Sequence, residues 1–174
     1  MARIALVRVD VRLIHGQVVV KWLKYLNCKD ILIVDNALVQ DEFLQKVVHM
    51  AAPSDVRVRV MTVPDAIQEL RLPTGDEGHL LVLVRSPQTA LELLNGGVSF
   101  AALNVGGMAA AVGTTRLFKS VSATREQMAA LAAAKGRGVH VYLQMVPEER
   151  PVEISELLPV PQVAAAVPRP PDLA

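Results

Sequence analysis

The sequence predicts an α/β fold: an open, doubly wound, mainly parallel sheet of about six or seven strands, with helices on both faces and a C-terminal edge strand. Short runs of apolar, β-branched residues alternate with helix-like segments along the 174 residues. Apolar residues make up 52% of the chain and aromatic residues only 3%, so aliphatic side chains must fill the core, as in helices packed on a buried sheet. Strands that alternate with helices are joined by right-handed crossovers, which makes them parallel.

The first two strand-helix units are predicted from a change of apolar spacing. Ile4 to Val9 and Ile31 to Val34 are short apolar runs typical of buried strands. A helix is predicted to begin at Gly16 and another to follow Asn36, each with apolar residues recurring on one face. Those apolar residues are Val18, Val19, Trp22, Leu23 and Leu26 in the first helix, and Val39, Phe43, Val47 and Met50 in the second.

The middle of the chain repeats this organisation twice. Val56 to Val60 alternates Val with Arg as a strand does, and a short helix is predicted from about Thr62 to Leu70. Pro73 to Gly78 is predicted to form a turn, and the apolar run His79 to Val84 a fourth strand. Ser86, followed by Pro87, is predicted to cap a helix that ends near Asn95.

The last predicted elements are more irregular. Ser99 to Asn104 is expected to be the fifth strand, a Gly-rich loop follows, and Arg116 to Lys119 is expected to be a short sixth strand. Thr124 and Gln127 have the spacing of a capping box at the start of a helix that runs through Lys135. Val139 to Met145 alternates strictly between apolar and polar residues, which predicts a half-exposed strand at the edge of the sheet.

Length and charge favour one globular domain. We expect residues 1–158 to form that domain and the Pro- and Ala-rich residues 159–174 to be a flexible tail.

The net charge of +1 argues against nucleic-acid binding. The lone Cys28 excludes an internal disulfide and indicates a reducing compartment. Residues 1–9 are too short and too charged for a signal peptide, and no apolar stretch is long enough to span a bilayer, so a cytoplasmic location is expected.

Open α/β sheets bind ligands beyond the carboxyl ends of their strands, and the loop after the first strand is rich in functional side chains. His15 stands at the entrance of the first helix, where unpaired backbone N–H groups favour an anion. Arg12 can donate to phosphate oxygens, and Asp10 can either orient Arg12 or fix the tautomer of the imidazole. Gly16 allows close backbone approach and Gln17 can donate a further hydrogen bond, which together suit a phosphohistidine.

Other strand ends supply further candidates. Arg8, near the end of the first strand, is a candidate phosphate ligand. Ser86 can cap its helix and also contact a phosphate on the histidine. Asn104, Gly106 and Gly107 are expected to form part of the rim of the site, where the glycines would expose the backbone.

The segment Arg8 to Val18 resembles the phosphorylation-site segment of the IIB subunits of the mannose/fructose/sorbose class of bacterial sugar phosphotransferase systems. The pattern of that family is Arg-Ile/Val-Asp-Asp-Arg-Leu-Ile-His-Gly-Gln-Val. Ser86-Pro87, Gly96-Gly97-Val98 and Asn104 to Met108 resemble later segments of the same family in the right order, so that the resemblance covers roughly residues 1–145.

This resemblance implies a function. It implies that His15 accepts a phosphoryl group from a IIA protein and passes it to a sugar of the mannose/fructose/sorbose class, which enters through IIC and IID membrane subunits. Such a carrier is cytoplasmic and associates peripherally with its transporter, and it uses neither a metal nor a cofactor. The resemblance leaves open which sugar is transported and which imidazole nitrogen is phosphorylated. It also leaves open the oligomeric state, with a homo-oligomer among the alternatives.

One departure from the family pattern keeps an alternative open. Val11 stands where the family often has a second acidic residue. The alternative is a regulatory binding module that His15 phosphorylation controls without sugar transport. A nucleotide-binding protein is less well supported, because neither a P-loop nor a GxGxxG motif follows the first strand.

Overall fold

The computed structural model describes residues 3–71 and 79–157. Its main feature is a seven-stranded sheet with the order β3-β2-β4-β1-β5-β8-β9, in which the first six strands are parallel and β9 is antiparallel to β8. The strands of this sheet are β1 (Arg3–Asp10), β2 (Asp30–Val34), β3 (Arg57–Met61), β4 (His79–Val84), β5 (Ala102–Gly107), β8 (His140–Leu143) and β9 (Val152–Glu153). A separate antiparallel hairpin contains β6 (Thr115–Phe118) and β7 (Val121–Ala123).

Helices cover both faces of the sheet, so consecutive residues of its central strands are buried. They are α1 (Gly16–Leu26), α2 (Asn36–Val39), α3 (Glu42–Ala51), α4 (Val63–Arg71), α5 (Pro87–Asn95) and α6 (Arg125–Gly136). Leu32 and Val34 of β2 face the core formed with α4, α5 and α6, whereas Ile31 and Ile33 face the core formed with α1, α2 and α3. The predicted fold class, an open and mainly parallel doubly wound sheet, is confirmed.

Three predictions about strands need correction. β8 is not the edge of the sheet, because the two-residue strand β9 pairs with its outer side. The fifth strand begins at Ala102 and extends to Gly107, since pairing with β1 resumes at Gly107 after a register shift, so the predicted Gly-rich loop is strand at that point. The short strand near Arg116 exists, but it belongs to the β6-β7 hairpin.

The second amphipathic segment is helical, but its apolar face is largely exposed. Phe43 is 73% exposed, Val47 44% and Met50 85%, and of the residues in α3 only Val48 is buried. A surface helix normally turns its apolar stripe to the core. Here α3 contributes one buried side chain to the core on its face of the sheet, so its pattern correctly indicated a helix and incorrectly indicated which side is buried.

Cys28 is a packed thiol. Its side chain is buried, and Sγ lies 3.0 and 2.6 Å from the carbonyl oxygens of Asp30 and His79, to either of which the single S–H can donate. Burial raises the pKa of this thiol, so the neutral form predominates at neutral pH. In the described parts of the chain, no helix is long and apolar enough to cross a membrane.

The C-terminal ends of β1, β2, β4 and β5 lie side by side at one edge of the sheet, because these strands are neighbours and parallel. The residues that follow them therefore meet there. The predicted tail, residues 159–174, and the predicted turn at 73–78 lie outside the described residues, as does residue 158 at the predicted domain boundary.

Candidate functional site

The loop from Val11 to His15 leaves the sheet at the end of β1. The start of the loop is held in place because the Val11 amide donates to the Gly107 carbonyl at 3.0 Å. The Leu13 amide then donates to the Asp10 carbonyl at 3.0 Å, which closes a tight turn, and Leu13 has a positive φ of 54°. Such a φ is uncommon outside glycine, and the buried Leu13 side chain helps to hold it. The turn delivers His15 to the first position before α1.

A buried network of charged groups supports this loop. The Asp10 carboxylate is fully buried and accepts from Arg8 Nη2 at 3.0 Å and from Arg12 Nε at 3.1 Å. It also accepts from the Arg12 backbone amide at 3.1 Å and from Arg12 Nη2 at 3.3 Å. One carboxylate thus holds two guanidinium groups. The sequence left two roles open for Asp10, to orient Arg12 or to fix the tautomer of His15, and the contacts are those of the first role. No contact joins it to the His15 imidazole in the described structure.

Arg8, which the sequence suggests as a phosphate ligand, is only 1% exposed, so its side chain is not open to a ligand in the described structure. Its Nη1 donates to the Asn104 side-chain oxygen and, at 3.1 Å, to the Gln144 carbonyl, and its Cζ lies 5.4 Å from the centre of the Trp22 ring. Burial lowers the pKa of this guanidinium, and the adjacent Asp10 carboxylate opposes that shift. Arg8 therefore lies beneath the loop as a structural cation.

Arg12 has the geometry of a side chain that binds an anion. Its side chain is 46% exposed although Asp10 anchors it. Its Nη2 also lies 3.5 Å from Met145 Sδ, whereas Nη1 has no hydrogen-bond partner among the described residues. A guanidinium that is held on one edge and open on the other can bind phosphate oxygens without further ordering.

His15 occupies the N-cap position of α1 with extended backbone angles, and its side chain does not cap the helix. Nδ1 lies 3.4 Å from the Leu13 carbonyl oxygen, a distance too long to fix the tautomer, and Nε2 is buried with no partner in the described structure. The helix begins without an acidic residue in its first turn, so its N-terminal amides are available to an anion.

The other residues predicted near the phosphate are Gly16, Gln17 and Ser86. Gly16 has a φ of 47°, a left-handed conformation that favours glycine, and Gln17 is exposed on the first turn of α1. Ser86 caps α5, as predicted: its hydroxyl accepts from the Thr89 amide at 3.3 Å. That hydroxyl is half-buried at the same edge of the sheet, and its contact with a phosphate stays a prediction.

Asn104, Gly106 and Gly107 form the floor under the loop and not its rim. All three are buried within β5. A Cβ at Gly107 would lie 3.0 Å from both Arg12 Nη2 and Asp10 Oδ1, and a Cβ at Gly106 would overlap the Arg8 guanidinium. The glycines are therefore needed because charged side chains pack directly on the backbone of β5.

Gly106→Ala is expected to destabilise the protein by about 1–3 kcal/mol, because the Arg8 guanidinium is held on several sides and cannot move away from the added methyl group. Denaturant unfolding measures the change. Gly136→Ala, near the end of α6 and with nothing within 4 Å of the added Cβ, is the matched control and should be neutral or slightly stabilising. Equal stability of the two variants would contradict the packing described here.

Sequence reasoning missed several residues that complete the site. The Gln144 carbonyl accepts from Arg8 and, at 3.2 Å, from the Asn104 side-chain amide, while the Met145 carbonyl accepts from Trp22 Nε1 at 3.0 Å. Arg85 contacts the loop from the opposite side through the Val11 carbonyl. Most of these contacts use backbone carbonyls, which leave no signature in a sequence.

Residues that could bind a metal are not grouped in this structure. Among the described residues, no cluster of three or more His, Cys, Asp or Glu side chains has metal-binding geometry. The chemistry that the site offers is that of one imidazole, one open guanidinium and a helix N-terminus, all of which suit a phosphoryl group.

Comparisons with known proteins agree with this chemistry. Residues 4–166 match the family model of the PTS system sorbose subfamily IIB component. The sorbose-specific EIIB component of Lacticaseibacillus casei is 34% identical over 82% of this chain and 87% of its own length. The N-acetylgalactosamine-specific IIB component 2 of Escherichia coli K12 is 32% identical over 91% of this chain and 100% of its own length.

Solved structures give the same result. The IIB domain of the sorbose permease from Klebsiella pneumoniae superimposes with a TM-score of 0.84 at 32% identity, covering 88% of this chain and 94% of that domain. A structure of manxB from Thermoanaerobacter tengcongensis also gives 0.84, at 34% identity, with 89% and 94% covered. The chain therefore belongs to the sorbose subfamily of PTS IIB components, which are phosphotransferases that carry a phosphoryl group for sugar uptake.

Proposed function

We propose that His15 is the residue on which this phosphocarrier holds its phosphoryl group. The observation that carries the proposal is the position of the His15 imidazole at the uncapped N-terminus of α1, on the same short loop as the open Arg12 guanidinium. Phosphoryl transfer depends on positioning and on stabilisation of negative charge, and both are supplied here by groups that are fixed in advance.

In the proposed reaction a phosphorylated IIA protein docks over the loop. The lone pair of one imidazole nitrogen of His15 attacks the phosphorus as the bond to the donor breaks, so that one bond to phosphorus forms and one is lost. The second imidazole nitrogen keeps its proton. Arg12 Nη1 and the first amides of α1 then hold the equatorial oxygens, while Asp10 keeps the guanidinium in place.

The phosphoryl group then passes to a sugar during uptake through IIC and IID subunits. A relative from Escherichia coli is a mannose-specific EIIAB component, of which this chain matches 48%, so that a IIA and a IIB unit occur together in that protein. Other relatives are specific for sorbose, fructose and N-acetylgalactosamine. We propose a sugar of the mannose/fructose/sorbose class and a carrier that works at the cytoplasmic face of the membrane. No finding favours the regulatory alternative.

Intact-mass spectrometry tests the role of His15. The wild-type protein is incubated with phosphoenolpyruvate, the general phosphotransferase proteins and the IIA domain of the E. coli mannose-specific EIIAB component. The expected result is one acid-labile phosphoryl group, located by peptide mapping on His15.

Two results would contradict the proposal. One is a phosphoryl group that maps to another residue. The other is a protein that the IIA donor leaves unmodified while it phosphorylates a known IIB protein in the same experiment.

A further inference from the structure

Arg85 lies at the centre of the edge where the strands end, because β4 is placed between β2 and β1. Its Nε donates to Asp35 Oδ2, at the end of β2, and its Nη1 donates to the Val11 carbonyl at 3.0 Å, just after β1. One side chain therefore joins the ends of three neighbouring strands. Its exposed fraction of 45% shows that these contacts are made at the surface of the site and not in the core.

Asp35 is a rigid anchor for this guanidinium. Its Oδ1 accepts from the Ala37 and Leu38 amides at 2.9 and 3.0 Å and so caps α2, while Oδ2 is left for Arg85. The carboxylate is only 10% exposed. A carboxylate that is fixed by a helix on one oxygen holds a guanidinium on the other with little loss of side-chain freedom.

The Val11 carbonyl belongs to the peptide unit whose N–H is that of Arg12. This N–H donates to Asp10 Oδ1 at 3.1 Å. Arg85 and Asp10 therefore hold the two polar groups of a single peptide plane, and the orientation of this plane sets where the Arg12 side chain leaves the backbone. Because the contact uses the carbonyl, it does not need the acidic side chain that the family often has in place of Val11.

We propose that Arg85 is a positioning residue for phosphoryl transfer, which fixes the Val11–Arg12 peptide and with it the loop that presents Arg12 and His15. The proposal rests on the proposed role of His15. Arg85 does not touch the phosphoryl group and acts through the loop. A displacement of about 1 Å in a reacting geometry can cost about a hundredfold in rate, so removal of this contact should affect the transfer step itself.

Transfer from the phosphorylated E. coli IIA domain is measured for wild type and for Arg85→Met over a range of donor concentrations. We expect the rate at saturating donor to fall about ten- to a hundredfold with little change in KM, while thermal unfolding is close to that of wild type. Arg57→Met, which removes an Arg–Asp ion pair at the opposite ends of β2 and β3, is the matched control and should keep the wild-type rate.

Two further measurements separate positioning from other roles. Asp35→Asn keeps an acceptor for the cap of α2 but removes the charged partner of Arg85, and it should lower the saturated rate in the same direction. The amide resonance of Arg12 in a ¹H–¹⁵N spectrum should shift in Arg85→Met and stay in place in Arg57→Met. If Arg85→Met fails to fold, the rate of Asp35→Asn decides the matter.

A wild-type saturated rate in Arg85→Met would overturn the proposal, and so would an increase in KM alone, which would indicate a donor contact. These results differ from failure of the proposed function, in which the wild-type protein itself would not be phosphorylated on His15.

Discussion

His15→Ala is expected to lose phosphorylation from a phosphorylated IIA donor completely. The alanine variant keeps the extended N-cap backbone of α1 but has no nucleophile. Because the one polar contact of the His15 side chain in the described structure is weak, at 3.4 Å, its removal should change stability little. Intact-mass spectrometry and thermal unfolding of the same samples measure both effects.

The other histidines supply controls. The chain has four histidines. His49 is exposed on α3, and His140 is exposed beside Glu153, with 2.8 Å between Nε2 and Oε1. The variants His49→Ala and His140→Ala should be phosphorylated at the wild-type rate. Retention of an acid-labile phosphoryl group in His15→Ala would assign the carrier role to a different side chain.

Asp10→Asn is expected to be the most destabilising substitution in the site, by about 3–5 kcal/mol, since it removes the only carboxylate that balances the buried Arg8 guanidinium in the described structure. It should also impair phosphoryl transfer, because Arg12 loses its anchor. Denaturant unfolding at neutral pH measures the stability, and transfer from the IIA domain measures the activity.

A matched control and a double variant separate these two consequences. Asp55→Asn makes the same chemical change in an exposed pair with Lys29, where the N···O distance is 3.7 Å, and should cost no more than about 1 kcal/mol. Adding Arg8→Met to Asp10→Asn removes the uncompensated charge, so stability should partly recover while transfer stays slow. An Asp10→Asn protein as stable as Asp55→Asn would contradict the proposed dependence of Arg8 on Asp10.

The fold was predictable because both strand and helix periods are clear in the sequence. After their first residues, Asp30 and His79, the strands β2 and β4 are short apolar runs, and burial on both faces is what such runs indicate. The edge of the sheet was mispredicted because β9 has only two residues, too few to show any period. The exposed apolar face of α3 could not be predicted either, since periodicity identifies a face but not what covers it.

The site was predictable as far as it is local in sequence. His15, Arg12 and Asp10 lie within six residues, and the helix that follows them was evident. The burial of Arg8 could not be predicted, because its partners Asn104 and the Gln144 carbonyl are 96 and 136 residues away. From the sequence alone, an arginine at a strand end that turns outward cannot be distinguished from one that a distant backbone carbonyl and a distant side-chain amide hold inside.

These long separations also determine when the protein becomes a carrier. His15 lies just after β1, yet the network beneath its loop includes the Gln144 and Met145 carbonyls, which come much later in the sequence, after β8. Contacts between such distant residues form late in folding, because closing the large loop between them is costly in entropy. A nascent or truncated chain that stops before β8 therefore contains His15 without the supporting arginines in place. The protein becomes able to accept a phosphoryl group only when the whole sheet has formed.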